Sequence, residues 1–195
     1  NQFSMDEFNG NFRIATTQWT NEGTVNNVFI LDSNMRNVGS VLNLAPGERI
    51  YSVRFSGNTG YVVTFRNMDP LFVLDLSNPS NPRVTGELKI PGFSNYLHPV
   101  GDGLLLGLGV DTKEIYTKDE NGNEIVTGFH RGGLKLSLFD VSDPFNPKEI
   151  DTLVIGKEGS YSEAQYNHKA FTWWPEKNAA MFSAQINNSQ GYKEY

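Results

Sequence analysis

Cysteine is absent from all 195 residues, which excludes disulfides, thiolate catalysis and zinc–sulfur sites. Charge is sparse and unbalanced: only 19% of residues are charged, and 22 acidic against 16 basic side chains leave a net charge of −6. An acidic surface with no local run of Lys or Arg repels a phosphate backbone, so nucleic acid is a poor partner class. Long apolar runs are missing too. The longest centres on Leu104-Leu105-Leu106, far too short to span a bilayer as a helix. Helical periodicity is absent throughout, so no amphipathic helix is expected. Neither a Gly-x-Ser-x-Gly elbow nor a Gly-x-x-x-x-Gly-Lys loop occurs, which removes the most recognisable hydrolase and nucleotide-binding signatures.

What the chain does contain is the vocabulary of tight turns. It carries 19 glycines and many asparagines, which supply the positive φ that short β-connections need. A repeat emerges from these punctuation marks. Val28-Phe29-Ile30-Leu31-Asp32, Leu71-Phe72-Val73-Leu74-Asp75 and Leu136-Ser137-Leu138-Phe139-Asp140 are each an apolar strand ending in Asp. An Asp in that position is expected to accept hydrogen bonds from the following turn. The second and third copies continue alike, through Asn78-Pro79-Ser80-Asn81-Pro82 and Asp143-Pro144-Phe145-Asn146-Pro147. Proline cannot donate to a ladder, so a doubled X-Pro places this connection outside the sheet. The first copy has a shorter connection without Pro. Upstream of Asp75 lies a hairpin of residues 51–55 and 61–65, and the next copy has one of residues 96–100 and 104–110. The repeating unit is therefore four antiparallel strands.

Asp75 follows Asp32 by 43 residues, within the period of about 40 to 50 typical of a propeller blade. Asp140 follows Asp75 by 65, and the excess is the 22-residue stretch 111–132. Its alternating segments flank Asn121-Gly122 and predict a two-stranded ribbon. A fourth unit opens near Tyr161, with a hairpin of residues 169–174 and 179–186, and ends before its third strand. The sequence thus predicts an all-β fold, a partial β-propeller of about three and a half four-stranded antiparallel blades. These cover residues 3–47, 48–92, 93–158 and an incomplete 159–195, with a ribbon insert at 111–132. So few blades cannot close a ring of the usual four to eight. Either further blades complete it, or a second copy pairs with the open edge of the fourth.

Several stretches are familiar as wording: Asn1-Gln2-Phe3-Ser4-Met5-Asp6-Glu7-Phe8, Ala45-Pro46-Gly47-Glu48-Arg49-Ile50-Tyr51-Ser52-Val53-Arg54-Phe55, and Thr64-Phe65-Arg66 with Asp69-Pro70-Leu71-Phe72. Others are Glu87-Leu88-Lys89-Ile90-Pro91-Gly92-Phe93-Ser94 with Tyr96-Leu97-His98-Pro99, Leu136-Ser137-Leu138-Phe139-Asp140-Val141-Ser142-Asp143-Pro144, and His168-Lys169-Ala170-Phe171. Together they resemble the secreted β-propeller domain family of bacteria and archaea that is distantly related to WD40 repeats. The resemblance covers essentially the whole chain, apart from the untypical ribbon at 113–129. It implies a secreted or cell-envelope location, relatives that extend further on both sides, and no generally assigned activity.

Candidate site residues follow from blade geometry. Loops entering the blades line one face of a propeller, and His98, His168, Arg54 and Glu7 are expected at such entrances, where convergence would make a metal or anion site. The competing reading is that each His caps a turn or fills a polar gap in the core. His130 falls in the insert and is expected to be exposed. Asp119-x-Asn121-x-Asn123 has the look of a calcium loop, but an EF-hand needs Gly at its sixth position and Glu at its twelfth. Glu124 and His130 stand there instead, and a plain hairpin turn explains the same residues. Trp173-Trp174, with Tyr161 and Tyr166, is the densest aromatic cluster. Strand alternation places one Trp inside and one outside, and an exposed Trp at the rim is suited to stacking on a glycan or anchoring a protein. Glu158 or Glu163 with Asp151 can be written as a glycosidase pair, whose separation sequence cannot supply. The expected function is a non-enzymatic extracellular binding or scaffold module with a protein or glycan partner and no required cofactor. The alternative is a hydrolase or lyase acting at the channel mouth.

Overall fold

The computed structural model of the chain describes residues 3–21, 23–65, 69–188 and 191–194. Asn1, Gln2, Arg66 and Tyr195 lie outside the described residues. Three successive four-stranded antiparallel sheets run in sequence order, the simplest path that tight turns allow. The first holds β1 (Met5–Phe8), β2 (Asn11–Thr20), β3 (Gly23–Leu31) and β4 (Asn37–Leu44). The second holds β5 (Arg49–Ser56), β6 (Thr59–Phe65), β7 (Asp69–Asp75) and β8 (Arg83–Ile90). The third holds β9 (Phe93–Gly101), β10 (Leu104–Lys118), β11 (Glu124–Asp140) and β12 (Lys148–Ile155).

The recurring Asp residues do the work of turns. Asp32 Oδ1 accepts from the backbone N–H of Asn34 (2.8 Å) and Arg36 (2.9 Å). Asp75 Oδ1 accepts from the Ser77 hydroxyl (2.6 Å) and N–H (3.0 Å), and Asp140 Oδ1 from the same two groups of Ser142 at the same distances. Hydrogen bonds to the charged form favour it, and those from Ser77 and Ser142 hold the two carboxyls below their ordinary value.

The core lies between sheets, and the central strands feed both of their neighbours. In β7, Leu71 and Val73 face the third sheet, where they meet Leu97, Leu105 and Phe139. Phe72 and Leu74 face the first, where they meet Val28 and Ile30. Two buried faces explain why these strands read as unbroken apolar runs and not as an alternation. The doubled-proline turns add a second joint. A Cβ on Gly39 of β4 would strike Pro79 O and lie 2.7 Å from Pro82 Cδ. One on Gly86 of β8 would strike Pro144 O and lie 2.7 Å from Pro147 Cδ. Each proline turn therefore seats on the outer strand of the preceding sheet, at a glycine that leaves room for it.

β10 and β11 continue past their sheet as a ribbon, from Thr112 opposite Arg131 to Lys118 opposite Glu124. The turn at its tip is longer than a two-residue Asn-Gly connection. Asp119 N donates to Asn123 O (2.9 Å), and Gly122 holds the left-handed position at φ +83°. Asp119 itself is spent on that turn. Its Oδ1 accepts from the N–H of Asn121 and Asn123, both at 2.8 Å, and its Oδ2 accepts from Asn123 Nδ2 at 3.2 Å.

The fourth unit departs from the expected hairpin in two ways. The strand expected over 179–186 breaks at Ser183-Ala184 into β14 (Ala179–Phe182), paired with β13 (Phe171–Trp174), and β15 (Gln185–Asn188). β15 pairs with β16 (Gly191–Glu194), so a third strand does begin. Ahead of β13 the chain makes a short bridge, Tyr161 to Gln185, and then two 3₁₀ turns, Glu163–Gln165 and His168–Ala170. The first is fixed by a capping box: Ser162 Oγ accepts from Ala164 N (3.1 Å), and Gln165 Oε1 accepts from Ser162 N (3.0 Å).

Candidate functional site

The first strands of the second and third sheets, β5 and β9, lie side by side. Ser52 Oγ donates to Ser94 O (2.6 Å), and Arg54 Nε donates to Leu97 O (2.9 Å). Both strands carry an extra residue at the same place. In β5, Ile50 pairs with Thr64 and Ser52 with Val63, which leaves Tyr51 over. In β9, Ser94 pairs with Gly109 and Tyr96 with Leu108, which leaves Asn95 over. A bulge bends its strand and re-aims the surplus side chain. Counting back from the tight turn after β1 puts Phe3 at the matching position of the first sheet. In the fourth unit the two 3₁₀ turns interrupt the chain where the others bulge.

These irregularities converge on one cleft of about 490 Å³. Its aromatic walls are Phe3, Tyr51, Tyr96 and the exposed Tyr166, and its polar groups are Arg49, Asn95 and Gln165. The polar groups are held in place. Arg49 Nη2 donates to Tyr51 Oη (2.9 Å), and its guanidinium lies 4.8 Å from that ring's centre. Gln165 Nε2 donates to Asn95 Oδ1 (3.0 Å), tying the third sheet to the first 3₁₀ turn. Behind Tyr51, Phe65 and Phe93 complete an aromatic triplet with centroids 4.9 to 5.4 Å apart.

Beneath the cleft, three of the expected site residues do meet. Arg54 and His98 occupy equivalent positions on β5 and β9, because Leu97 and His98 follow the Asn95 bulge as Val53 and Arg54 follow Tyr51. The Arg54 guanidinium stacks 3.8 Å from the Phe3 ring centre and 5.4 Å from that of Tyr96. A hydrogen bond of 2.9 Å joins Tyr96 Oη and His98 Nδ1. His168 meets Phe3 edge-on, with ring centres 5.5 Å apart. Burial, and then the positive charge of Arg54, push His98 below its ordinary value, so the imidazole is neutral at physiological pH. Burial lowers Arg54 and raises Tyr96 in the same way. His98 and Arg54 lie within strands β9 and β5, not in loops entering the blades.

Glu7 stands apart from them. It is one residue out of phase: Asp6 is the position equivalent to Arg54, and Asp6 is committed to an ion pair with Arg13. The exposed Glu7 carboxylate accepts from Gly10 N (2.8 Å) in the turn after β1. The tryptophans alternate as a strand requires: Trp173 packs into the core between the third sheet and the fourth unit, and Trp174 is 46% exposed. Neither lines the cleft. Among the described residues no group of three or more metal-ligating side chains comes together. Sequence reading missed Phe3, Arg49, Tyr51, Asn95, Tyr96 and Gln165. Only Gln165 had a readable signal, the Ser-x-x-Gln capping box; a one-residue bulge leaves none.

Two archaeal proteins, both uncharacterised, are similar to this chain. One from Methanocaldococcus jannaschii is 43% identical over 196 residues, covering 99% of this chain and 28% of that protein. One from Archaeoglobus fulgidus is 44% identical over 171 residues, covering 88% of this chain and 24% of that protein. The chain thus spans about a quarter of the length of the curated relatives it matches. No helix among the described residues is long and apolar enough to cross a membrane. The stacked four-stranded sheets agree with the family model for the beta propeller domain, which matches residues 1–195, and the chain belongs to that family.

Proposed function

We propose that this domain is a binding module whose ligand sits in the cleft framed by Phe3, Tyr51 and Asn95. One observation carries the reading. Successive sheets present a residue at or just before the head of the first strand at the same height, two of them through bulges, and so direct three side chains into one space. Aromatic faces, a guanidinium and carboxamides are groups that hold and orient a ligand. Hydrogen bonds and packing behind them hold Arg49, Tyr51 and Asn95 in place, which lowers the ordering cost of binding. A secreted or envelope-bound setting, implied by the family resemblance, would present the cleft to glycans or proteins outside the cell.

The test is a thermal-shift screen of saccharides and peptides, repeated on Tyr51→Ala. A ligand at about 100 times its Kd adds roughly 2.7 kcal/mol, a shift of several degrees at about 2–4 °C per kcal/mol. A shift that Tyr51→Ala removes supports the cleft. A shift unaffected by Tyr51→Ala, or no shift across the panel, sinks it. The hydrolase or lyase alternative needs carboxylates at the ligand, and none lines the cleft among the described residues; Glu163 and Asp151 hydrogen-bond within their own segments. Glu163 Oε1 accepts from Asn167 Nδ2 (2.6 Å), and Asp151 Oδ1 accepts from Thr152 N (2.8 Å). Turnover of a bound saccharide would replace the binding reading with that one.

A further inference from the structure

We infer that the ligand of this cleft is a carboxylate-bearing sugar, a uronic-acid-type unit of an acidic polysaccharide. The inference rests on the binding reading above and adds the ligand's chemistry. It starts from charge. The chain as a whole carries −6, yet among the described residues no carboxylate lines the cleft, and its charged side chain is Arg49. A second cation, Arg54, lies directly behind the Phe3 and Tyr96 walls. Neither arginine forms an ion pair with a carboxylate among the described residues, whereas Arg13 and Arg83 both do. A local cationic spot on an acidic domain attracts an anion.

Geometry then selects the anion. Arg49 is held by Tyr51 through both its hydrogen bond and its stacking, so the planar donor fork is pre-organised, the arrangement that favours a carboxylate. Beside it stands the exposed ring of Tyr166, on which the C–H face of a sugar ring can lie. Asn95 Oδ1 is already occupied by Gln165, and Asn95 Nδ2 has no partner among the described residues, which leaves an amide donor for a hydroxyl. An extended acidic peptide would instead ask for a run of main-chain partners, and the cleft is walled by side chains.

The experiment is calorimetric titration of the full chain with two probes that share a ring skeleton: an oligogalacturonate, and the same oligosaccharide with its carboxylates methyl-esterified. The free acid should bind at least about tenfold more tightly, the usual worth of one charge-assisted pair, and the difference should shrink with added salt. Arg49→Gln, at an exposed position that leaves the core untouched, should reduce the acid to the level of the ester. Tyr51→Ala should weaken both. Equal binding of acid and ester, or a preference that survives Arg49→Gln, overturns the assignment while the cleft remains a binding site. Binding of poly-glutamate in place of either sugar also overturns it. Binding of any probe that Tyr51→Ala leaves intact overturns the cleft itself.

Discussion

Gly109→Ala isolates the bulge on which the cleft depends. Gly109 sits in β10 opposite Ser94, at the step where Asn95 is looped out. A Cβ there would collide with Phe93 O and lie 2.6 Å from Phe93 C and 2.7 Å from Ser94 Cα. All three obstacles are backbone, so no rotamer change relieves them, and β9 must move away from β10. That movement breaks ladder hydrogen bonds beside Phe93, which is 4% exposed and fully packed. Overpacking a tight site costs about 1–3 kcal/mol when side chains can yield. Here the backbone must, so about 3 kcal/mol or more is expected. At roughly 2–4 °C per kcal/mol for a chain of this size, the melting midpoint should fall by about 6 °C or more. The control is Gly128→Ala in the ribbon, where the new methyl would meet only Ile115 Cδ1 at 3.4 Å. That is an ordinary contact, and removing a glycine from an extended strand should be neutral or stabilise slightly. Urea and thermal unfolding of both variants decide the matter. If Gly109→Ala unfolds within about 1 kcal/mol of the parent, the tight approach of β9 to β10 is wrong, and with it the aim of Asn95 into the cleft.

Arg13 is 2% exposed, pairs with Asp6 at 2.5 Å, donates to Gly57 O at 2.6 Å and stacks against Phe8 and Phe55. Arg13→Ala should therefore cost about 2 kcal/mol or more in chemical denaturation, below the full cost of a buried pair because the Asp6 side chain is 32% exposed; a loss below about 1 kcal/mol contradicts it. His98 is held below its ordinary value of 6.5, by burial first and by Arg54 second. The unfolded chain then binds the proton more readily, so the stability it contributes is present above about pH 6.5 and is lost as pH falls from there towards the folded value. Proton NMR should place the His98 midpoint below 6.5, and in Arg54→Gln it should move up. Trp173→Ala removes packing from the third core and should cost about 2 kcal/mol or more. Trp174→Ala should stay within about 0.5 kcal/mol, as surface changes do; equal losses would contradict the alternation.

How much of this was legible depends on whether the signal is periodic. Strand alternation and turn chemistry are local, so the four-stranded unit, the Asx turns at Asp75 and Asp140, and the inside–outside pair Trp173 and Trp174 can be read directly from residue order. Residue types alone also exclude thiolate chemistry and disulfides. The site is another matter. A bulge is one residue of mismatch between two paired strands, and nothing in Arg49-Ile50-Tyr51-Ser52 or Phe93-Ser94-Asn95-Tyr96 declares which residue is left over; the partners Val63 and Leu108 decide it. The same mismatch sets the phase of everything downstream, which is why Arg54 and His98 meet and Glu7, on an unbulged strand and one residue out of phase, does not. Sequence determined that these strands exist and which face each other in a hairpin. Only the tertiary structure decided which side chains share a cleft, because that depends on the registers of three separate sheets at once.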